Sequence, residues 1–319
     1  MVVTDLEVLQ RALEWASQGQ GVTLATVVKT WGSAPRKAGA QMAIRNDGVF
    51  VGSVSGGCVE GSVIQEALDM FQHPSRKPSR LLTFGVSTED AWAVGLSCGG
   101  EIAIWIESVN VQAIQSVVSK LELRQRVTLR LSMNQSHPMT VVEQWQGTTN
   151  TKTLLQEDGA AMRVYNPARR LFVVGAVHIA QALIPMAKQV GYTIVLIDPR
   201  GLFLNSERWC NVPRVSDFPE EYLSTVNLGD QDAVVALSHN PTFDDEALYL
   251  ALQANAFYVG ALGSRRNHAK RCIRLQERGC TEAQIDKLCG PIGLNIGSQT
   301  PAEIAVSIVA EMIQYQYSV

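Results

Sequence analysis

Two glycine-flanked cysteines are the residues of this chain best placed to do chemistry. Ser55-Gly56-Gly57-Cys58-Val59-Glu60 follows a strand-like stretch and precedes Val63, Ile64, Ala67, Leu68 and Phe71, which recur at helical spacing. A strand entering a helix through paired glycines turns backbone N–H groups outward at the helix start, a setting that favours phosphates and other anions. Cys58 is expected in the first helical turn, where the helix dipole favours the thiolate. Glu60 would cap that helix or serve as a nearby acid. The competing reading is a small buried cysteine beside a glycine turn. Cys98 stands in a matching frame, Ser97-Cys98-Gly99-Gly100, at the entry to another predicted strand. Thiolates suit soft metals and sulfur transfer, so the pair points to a soft-ligand or sulfur-handling site. Arg36 and Lys37, after Gly32-Ser-Ala-Pro35, place two cations in a stiff loop suited to a phosphate or carboxylate, or form a plain solvated turn. Cys210, Cys272, Cys280 and Cys289 read as packing residues.

A second set of candidates lies further along. Gly175-Ala-Val-His-Ile-Ala180, between a predicted strand and helix and followed by a strand ending at Asp198, has the layout of a dinucleotide-binding turn. Gly175 fills the tight-turn position and Ala180 suits helix–strand packing. Val177 stands where a glycine lets pyrophosphate approach, so NAD(P) or any nucleotide is doubtful. Asp198 is placed for a ribose hydroxyl, with Arg200 beside it; the other reading is a Rossmann fold that binds no dinucleotide. Ser238-His239-Asn240 and Gly260-Ala-Leu-Gly-Ser-Arg265-Arg266 follow predicted strands at the carboxyl edge, where doubly wound sheets bind ligands. Arg265 and Arg266 begin a helix there and could meet a phosphate together with the N-terminus. His178 and His239 belong to the same predicted edge.

These residues need elements to hold them. A helix over 5–18, strands over 23–28, 41–45 and 49–54, a hairpin turn at Asn46-Asp-Gly48, a helix over 59–71 and strands over 80–84 and 101–107 make an α+β domain of residues 1–108. Residues 109–168 form a connecting segment with a helix over 111–123 and strands over 127–131 and 140–144. From 169 to 319 strands alternate with helices: strands over 171–174, 193–197, 233–237 and 257–259, and helices over 177–190, 243–253, 265–278, 282–289 and 301–314. That alternation implies a parallel sheet in a Rossmann-like domain, so the fold class is α/β, an N-terminal α+β domain followed by a Rossmann-like parallel-sheet domain.

Composition narrows the function classes. With 46% hydrophobic and 18% charged residues the 319-residue chain is not disordered. A balance of 27 basic against 30 acidic residues offers no basic excess for nucleic acid. No run of about 20 apolar residues suggests a membrane span, and the start lacks a signal-peptide pattern, so a cytoplasmic setting with reduced thiols is expected.

Taken together these stretches resemble the xanthine dehydrogenase accessory (XdhC/CoxI) family. The matching segments are Gly32–Gly39, Gly52–Glu60, Ser97–Gly100, Val174–Ala180, Asp198-Pro-Arg200, Tyr258–Arg266 and Pro291–Ala305, in order along nearly the whole chain. The resemblance implies a cytosolic chaperone, rather than an enzyme of the usual kind, that binds molybdenum cofactor (molybdopterin). It would support the cofactor's sulfuration by a cysteine desulfurase and its insertion into a molybdenum hydroxylase of the xanthine dehydrogenase or aldehyde oxidoreductase type. It further implies an α+β domain joined to a Rossmann-like domain, commonly in a homodimer. The family turn usually reads Gly-Ala-Gly-His, and Val177 departs from it. The expected cofactor-binding residues are Ser55, Gly56, Gly57, Cys58, Cys98, Arg36 and Lys37, with His178, Asp198, Arg200, His239, Arg265 and Arg266 in the second half. An NAD(P)-dependent oxidoreductase using the Rossmann-like domain is the alternative function.

Overall fold

Thr4 opens the first helix with a capping box: its hydroxyl accepts the Glu7 N–H while the Glu7 carboxylate accepts the Thr4 N–H. The structure is a computed structural model that describes residues 4–31, 36–73, 79–85, 101–132, 140–142, 154–157, 160–205 and 207–317. The chain divides into two compact units, residues 3–167 and residues 168–319 with the first two residues.

The first unit runs α1 (Asp5–Ser17), β1 (Val22–Trp31), β2 (Gln41–Arg45), β3 (Phe50–Gly52), α2 (Glu60–Gln72), β4 (Ser79–Gly85), β5 (Glu101–Ser108), α3 (Val111–Glu122), β6 (Val127–Ser132), β7 (Thr140–Val142), β8 (Leu154–Glu157) and β9 (Ala160–Tyr165). Strands β3-β2-β1-β5-β4 form one antiparallel sheet. Its side chains alternate between two cores, as a pleated sheet buried on both faces requires. Ala25, Val27, Met42, Ile104 and Ile106 pack with Val63, Ala67 and Met70 of α2 on one face. Leu24, Ala43, Ala103 and Trp105 pack with α1, α3 and the second sheet, β7-β6-β9-β8, on the other. The segment expected to connect two domains, residues 109–168, thus contributes a helix and four strands to the first unit.

The second unit follows as β10 (Arg170–Val174), α4 (His178–Gln189), β11 (Thr193–Ile197), α5 (Gly201–Leu204), β12 (Arg214–Val215), α6 (Pro219–Thr225), β13 (Asp232–Ala236), α7 (Pro241–Gln253), β14 (Tyr258–Ala261), α8 (Arg265–Glu277), α9 (Glu282–Ile285), β15 (Leu288–Cys289) and α10 (Pro301–Tyr317). Its six strands are parallel in the order β12-β11-β10-β13-β14-β15, with apolar clusters on both faces, the Rossmann-like arrangement expected. One expectation is corrected. The helix read over 282–289 ends at Ile285, because Leu288 and Cys289 bury their side chains as a short edge strand against Val259 and Gly260.

Candidate functional site

The antiparallel pairing of the first sheet brings its chemically interesting connections to one end. β1 ends at Trp31, β2 begins at Gln41, β3 ends at Gly52, and β4 ends at Gly85 opposite Glu101, the first residue of β5. Arg36 and Lys37, both exposed, lie in the β1–β2 connection, and Cys58 lies in the loop after β3. A hydrogen bond ties the two segments, Ser53 N–H donating to Gln41 O, while those from Gly39 N–H to Val27 O and from Ala40 N–H to Lys37 O shape the β1–β2 connection itself. Ala40 and the half-buried Cys58 pack against the same core as Ile64, Leu82 and Phe84. Trp31, which sequence reading passed over, is 73% exposed at this end. A large apolar side chain left in water at the end of a strand is the one signal that marks it. Cys98 with its glycines falls outside the described residues.

The loop itself differs from expectation. Its backbone N–H groups do not face outward; they converge on the carboxylate of Glu60. Glu60 Oε1 accepts from Val54 N–H (3.2 Å), Ser55 N–H (2.9 Å), Gly56 N–H (3.0 Å) and the Ser53 hydroxyl (2.6 Å). Glu60 Oε2 accepts from Gly57 N–H (2.9 Å) and from the Ser55 hydroxyl. Ser55 Oγ in turn accepts Cys58 N–H (3.0 Å) and Val59 N–H (2.9 Å). Burial by itself would raise the Glu60 carboxyl, but the Ser53 and Ser55 hydroxyls and the backbone donors outweigh it and bring it down to about 2. The glycine loop is therefore an anion cradle whose anion is its own glutamate. Ser55 is buried within this network and through it positions Cys58. Cys58 also sits before the helix, not in its first turn: α2 starts at Glu60 with Val59 as N-cap. Gly56 and Gly57 take left-handed φ values of 83° and 117°, which glycine alone adopts without strain. A Cβ on the exposed Gly57 would meet nothing within 4 Å among the described residues beyond its chain neighbours.

The expected sites of the second unit are dispersed along the carboxyl edge of its sheet. Gly175, at φ 108°, passes so close to the next strand that a Cβ would lie 2.7 Å from Ser238 N. Val177 is the N-cap of α4 and half-buried, and His178 beside it is exposed. Asp198 does not face outward to a ribose. It is fully buried, accepts Ala176 N–H (2.7 Å) and Arg200 N–H (3.0 Å), and holds the Arg200 guanidinium at 2.7 and 2.8 Å. Burial pushes its carboxyl up and the Arg200 and backbone bonds pull it down further, leaving it below the ordinary range. Asp198 is thus committed to the glycine turn and to Arg200, and Val177 stands at the helix start where the dinucleotide pattern calls for glycine. His239 is exposed with a left-handed φ of 61°, between Ser238, which donates to Asp244, and Asn240, which caps α7. Arg265 and Arg266 are exposed at the start of α8. Among the described residues no three His, Cys, Asp or Glu side chains gather as a metal site, and no helix is long and apolar enough to cross a membrane.

Comparison with known proteins gives a consistent picture. A family model described as the XdhC and CoxI family matches residues 15–85, and one described as the XdhC Rossmann domain matches residues 171–312. The molybdenum cofactor insertion chaperone PaoD of Escherichia coli (strain K12) is 29% identical over 307 residues, covering 96% of this chain and 86% of its own. A protein of Bacillus subtilis (strain 168) named as a probable xanthine dehydrogenase subunit is 29% identical over 313 residues, covering 91% of this chain and 92% of its own. A crystal structure described as a xanthine dehydrogenase from Bacillus halodurans superposes with a TM-score of 0.76 at 28% identity, over 99% of this chain and 96% of that one.

Proposed function

The chain belongs to the XdhC and CoxI family, and from that membership we propose that it takes up molybdenum cofactor as cargo and delivers it to a molybdenum hydroxylase. The observation that carries the reading is that a half-buried thiol beside exposed glycines and an exposed basic turn share one end of the first sheet. Cys58 would approach the molybdenum, and Arg36 and Lys37 would take the cofactor's phosphate, since Glu60 already occupies the loop N–H groups. The exposed Trp31 indole offers a flat apolar face to the pterin. Gly56 and Gly57 would let the cargo close on the backbone. Cys98 is assigned to the same site on its sequence frame alone.

The finer parts of the proposal are that a cysteine desulfurase sulfurates the held cofactor, and that the chain acts as a cytoplasmic homodimer. The client would be of the xanthine dehydrogenase or aldehyde oxidoreductase type. The protein is a carrier in this scheme, so its chemistry is to bind, shield and release.

The test is the molybdenum and pterin content of protein purified from a cofactor-producing host. Wild type is expected to carry both, and Cys58→Ala to lose most of them while keeping its melting temperature. Wild-type protein that neither retains nor takes up pterin would overturn the function. Full retention and insertion activity in Cys58→Ala would overturn the site.

A further inference from the structure

The second unit carries polar groups that the cargo site leaves unused, and they gather at the start of α8. After β14, Leu262-Gly263-Ser264 turns into this thirteen-residue helix, whose N-cap Ser264 accepts the Asn267 N–H at 3.2 Å. The backbone N–H groups of Gly263, Ser264, Arg265 and Arg266 donate to no acceptor among the described residues. The exposed side chains of Arg265 and Arg266 make no ion pair among those residues either.

A helix N-terminus alone would say little, but a buried arginine is aimed at this one. Arg271, only 5% exposed, donates from Nη2 to Leu262 O and from Nε to Asp245 Oδ1, both at 3.3 Å, and its Nη2 lies 3.7 Å from Asp244 Oδ2. Its Nη1 is buried and has no hydrogen-bond partner among the described residues. A Cβ on Gly263 would stand 3.8 Å from that nitrogen, so the unused guanidinium N–H sits directly behind the glycine whose own N–H is open. The guanidinium charge is matched by these carboxylates, but a buried N–H without an acceptor is costly, and an anion at the turn would satisfy it together with the backbone. Of the neighbouring carboxylates, Asp245 is engaged by Arg271 and Arg274 and Asp244 Oδ1 by the Ser238 hydroxyl at 2.7 Å, while Asp244 Oδ2 is buried without a hydrogen-bond partner among the described residues. Gly263 has a φ of 149°, and a side chain there would crowd this approach.

We propose that the Gly263–Arg266 turn and Arg271 form a phosphate-binding site in the second unit, separate from the cargo site at Cys58. Its ligand is a phosphate group, free or carried by a nucleoside. Backbone N–H groups and the Arg271 fork would hold its oxygens, and Arg265 and Arg266 would supply the long-range attraction.

Calorimetric titration of the full chain with inorganic phosphate, and separately with adenosine monophosphate, tests this. Both are expected to bind at one site, with affinity falling as salt rises. Arg265→Ala/Arg266→Ala should weaken each by roughly tenfold or more without changing the melting temperature, because both side chains are exposed. Arg271→Lys keeps the charge and loses the fork, and should weaken binding further; if it fails to fold, the double variant decides. Tighter binding of the nucleotide than of phosphate would assign a nucleoside phosphate, and equal binding a phosphate group alone. Cys58→Ala should bind both normally, which separates this site from the cargo site. No binding of either probe at millimolar concentration, or unchanged affinity in the double variant, would overturn the proposal.

Discussion

Glu60 does inside its own loop what a bound phosphate was expected to do there, and the consequences reach Cys58. Ser55 accepts the Cys58 N–H while donating its own hydroxyl proton to Glu60, so the carboxylate fixes the backbone that presents the thiol. Glu60→Gln keeps the shape but replaces a charged acceptor with an amide whose NH2 faces backbone donors. Urea denaturation should show a loss of about 2–3 kcal/mol, with retained cofactor falling in parallel. The wild-type contribution has a definite pH dependence. The folded carboxyl sits near 2 against an ordinary value of 4.5, so its stabilisation is complete above about pH 4.5 and is lost as pH falls toward 2. Trp31 predicts the opposite separation. Exposed as it is, Trp31→Ala should change stability by no more than about 0.5 kcal/mol yet lower cofactor retention several-fold. Unchanged pterin content in that variant would remove the indole from the site.

At the scale of elements, periodicity made most of the fold readable and hydrogen-bond direction made part of the site unreadable. The β-branched and apolar runs of β1 and β5 are buried on both faces along most of their length, and the helical stripe of α2 buries the face that its spacing implies. β9 escaped because Arg163 interrupts its apolar pattern; that side chain is buried and held by Asp5 and Val164 O, a long-range arrangement no local window contains. The edge strand β15, two residues long, is defined by its pairing with β14 rather than by any pattern. In the loops, residue types placed Cys58, Arg36 and Lys37 at the sheet end, but spacing carries no information on which acceptor a backbone N–H selects. Glu60 and Asp198 are both acidic residues near glycine turns, and both turn inward to fill the turn. At the β10–α4 turn the glycine requirement is steric. Gly175→Ala would set a Cβ 2.7 Å from Ser238 N and 2.8 Å from Ser238 Cα, both backbone atoms that cannot swing aside. A loss of about 2–3 kcal/mol is expected, with faster hydrogen exchange in β10 and β13 and none of that change in the first unit.

At the scale of the whole molecule, the first unit should show a marked pH response, because it buries the acid Glu107 within its central sheet. Glu107, near the end of β5, is only 5% exposed, paired with Leu24 on one side and Ser79 on the other. Burial pushes its carboxyl up to about 8, and the Trp105 indole offsets only part of that rise. Between 4.5 and about 8 the folded chain therefore holds a proton that the unfolded chain releases, so stability falls as pH rises through that window and levels off above it. Glu60 acts in the reverse sense and only at lower pH. These two groups together place the first unit's greatest stability near pH 5, where Glu60 is ionised and Glu107 is neutral. Glu107→Gln presents a neutral side chain of the same shape at every pH. Urea denaturation from roughly pH 5 to pH 9 should show the wild-type decline flattened in this variant, with its stability higher by a few kcal/mol at the alkaline end. A Glu107→Gln profile parallel to wild type would assign the decline to other groups. Cofactor retention followed across the same range links this to function, since a first unit that loosens above neutrality should release its cargo there and hold it more tightly in the variant.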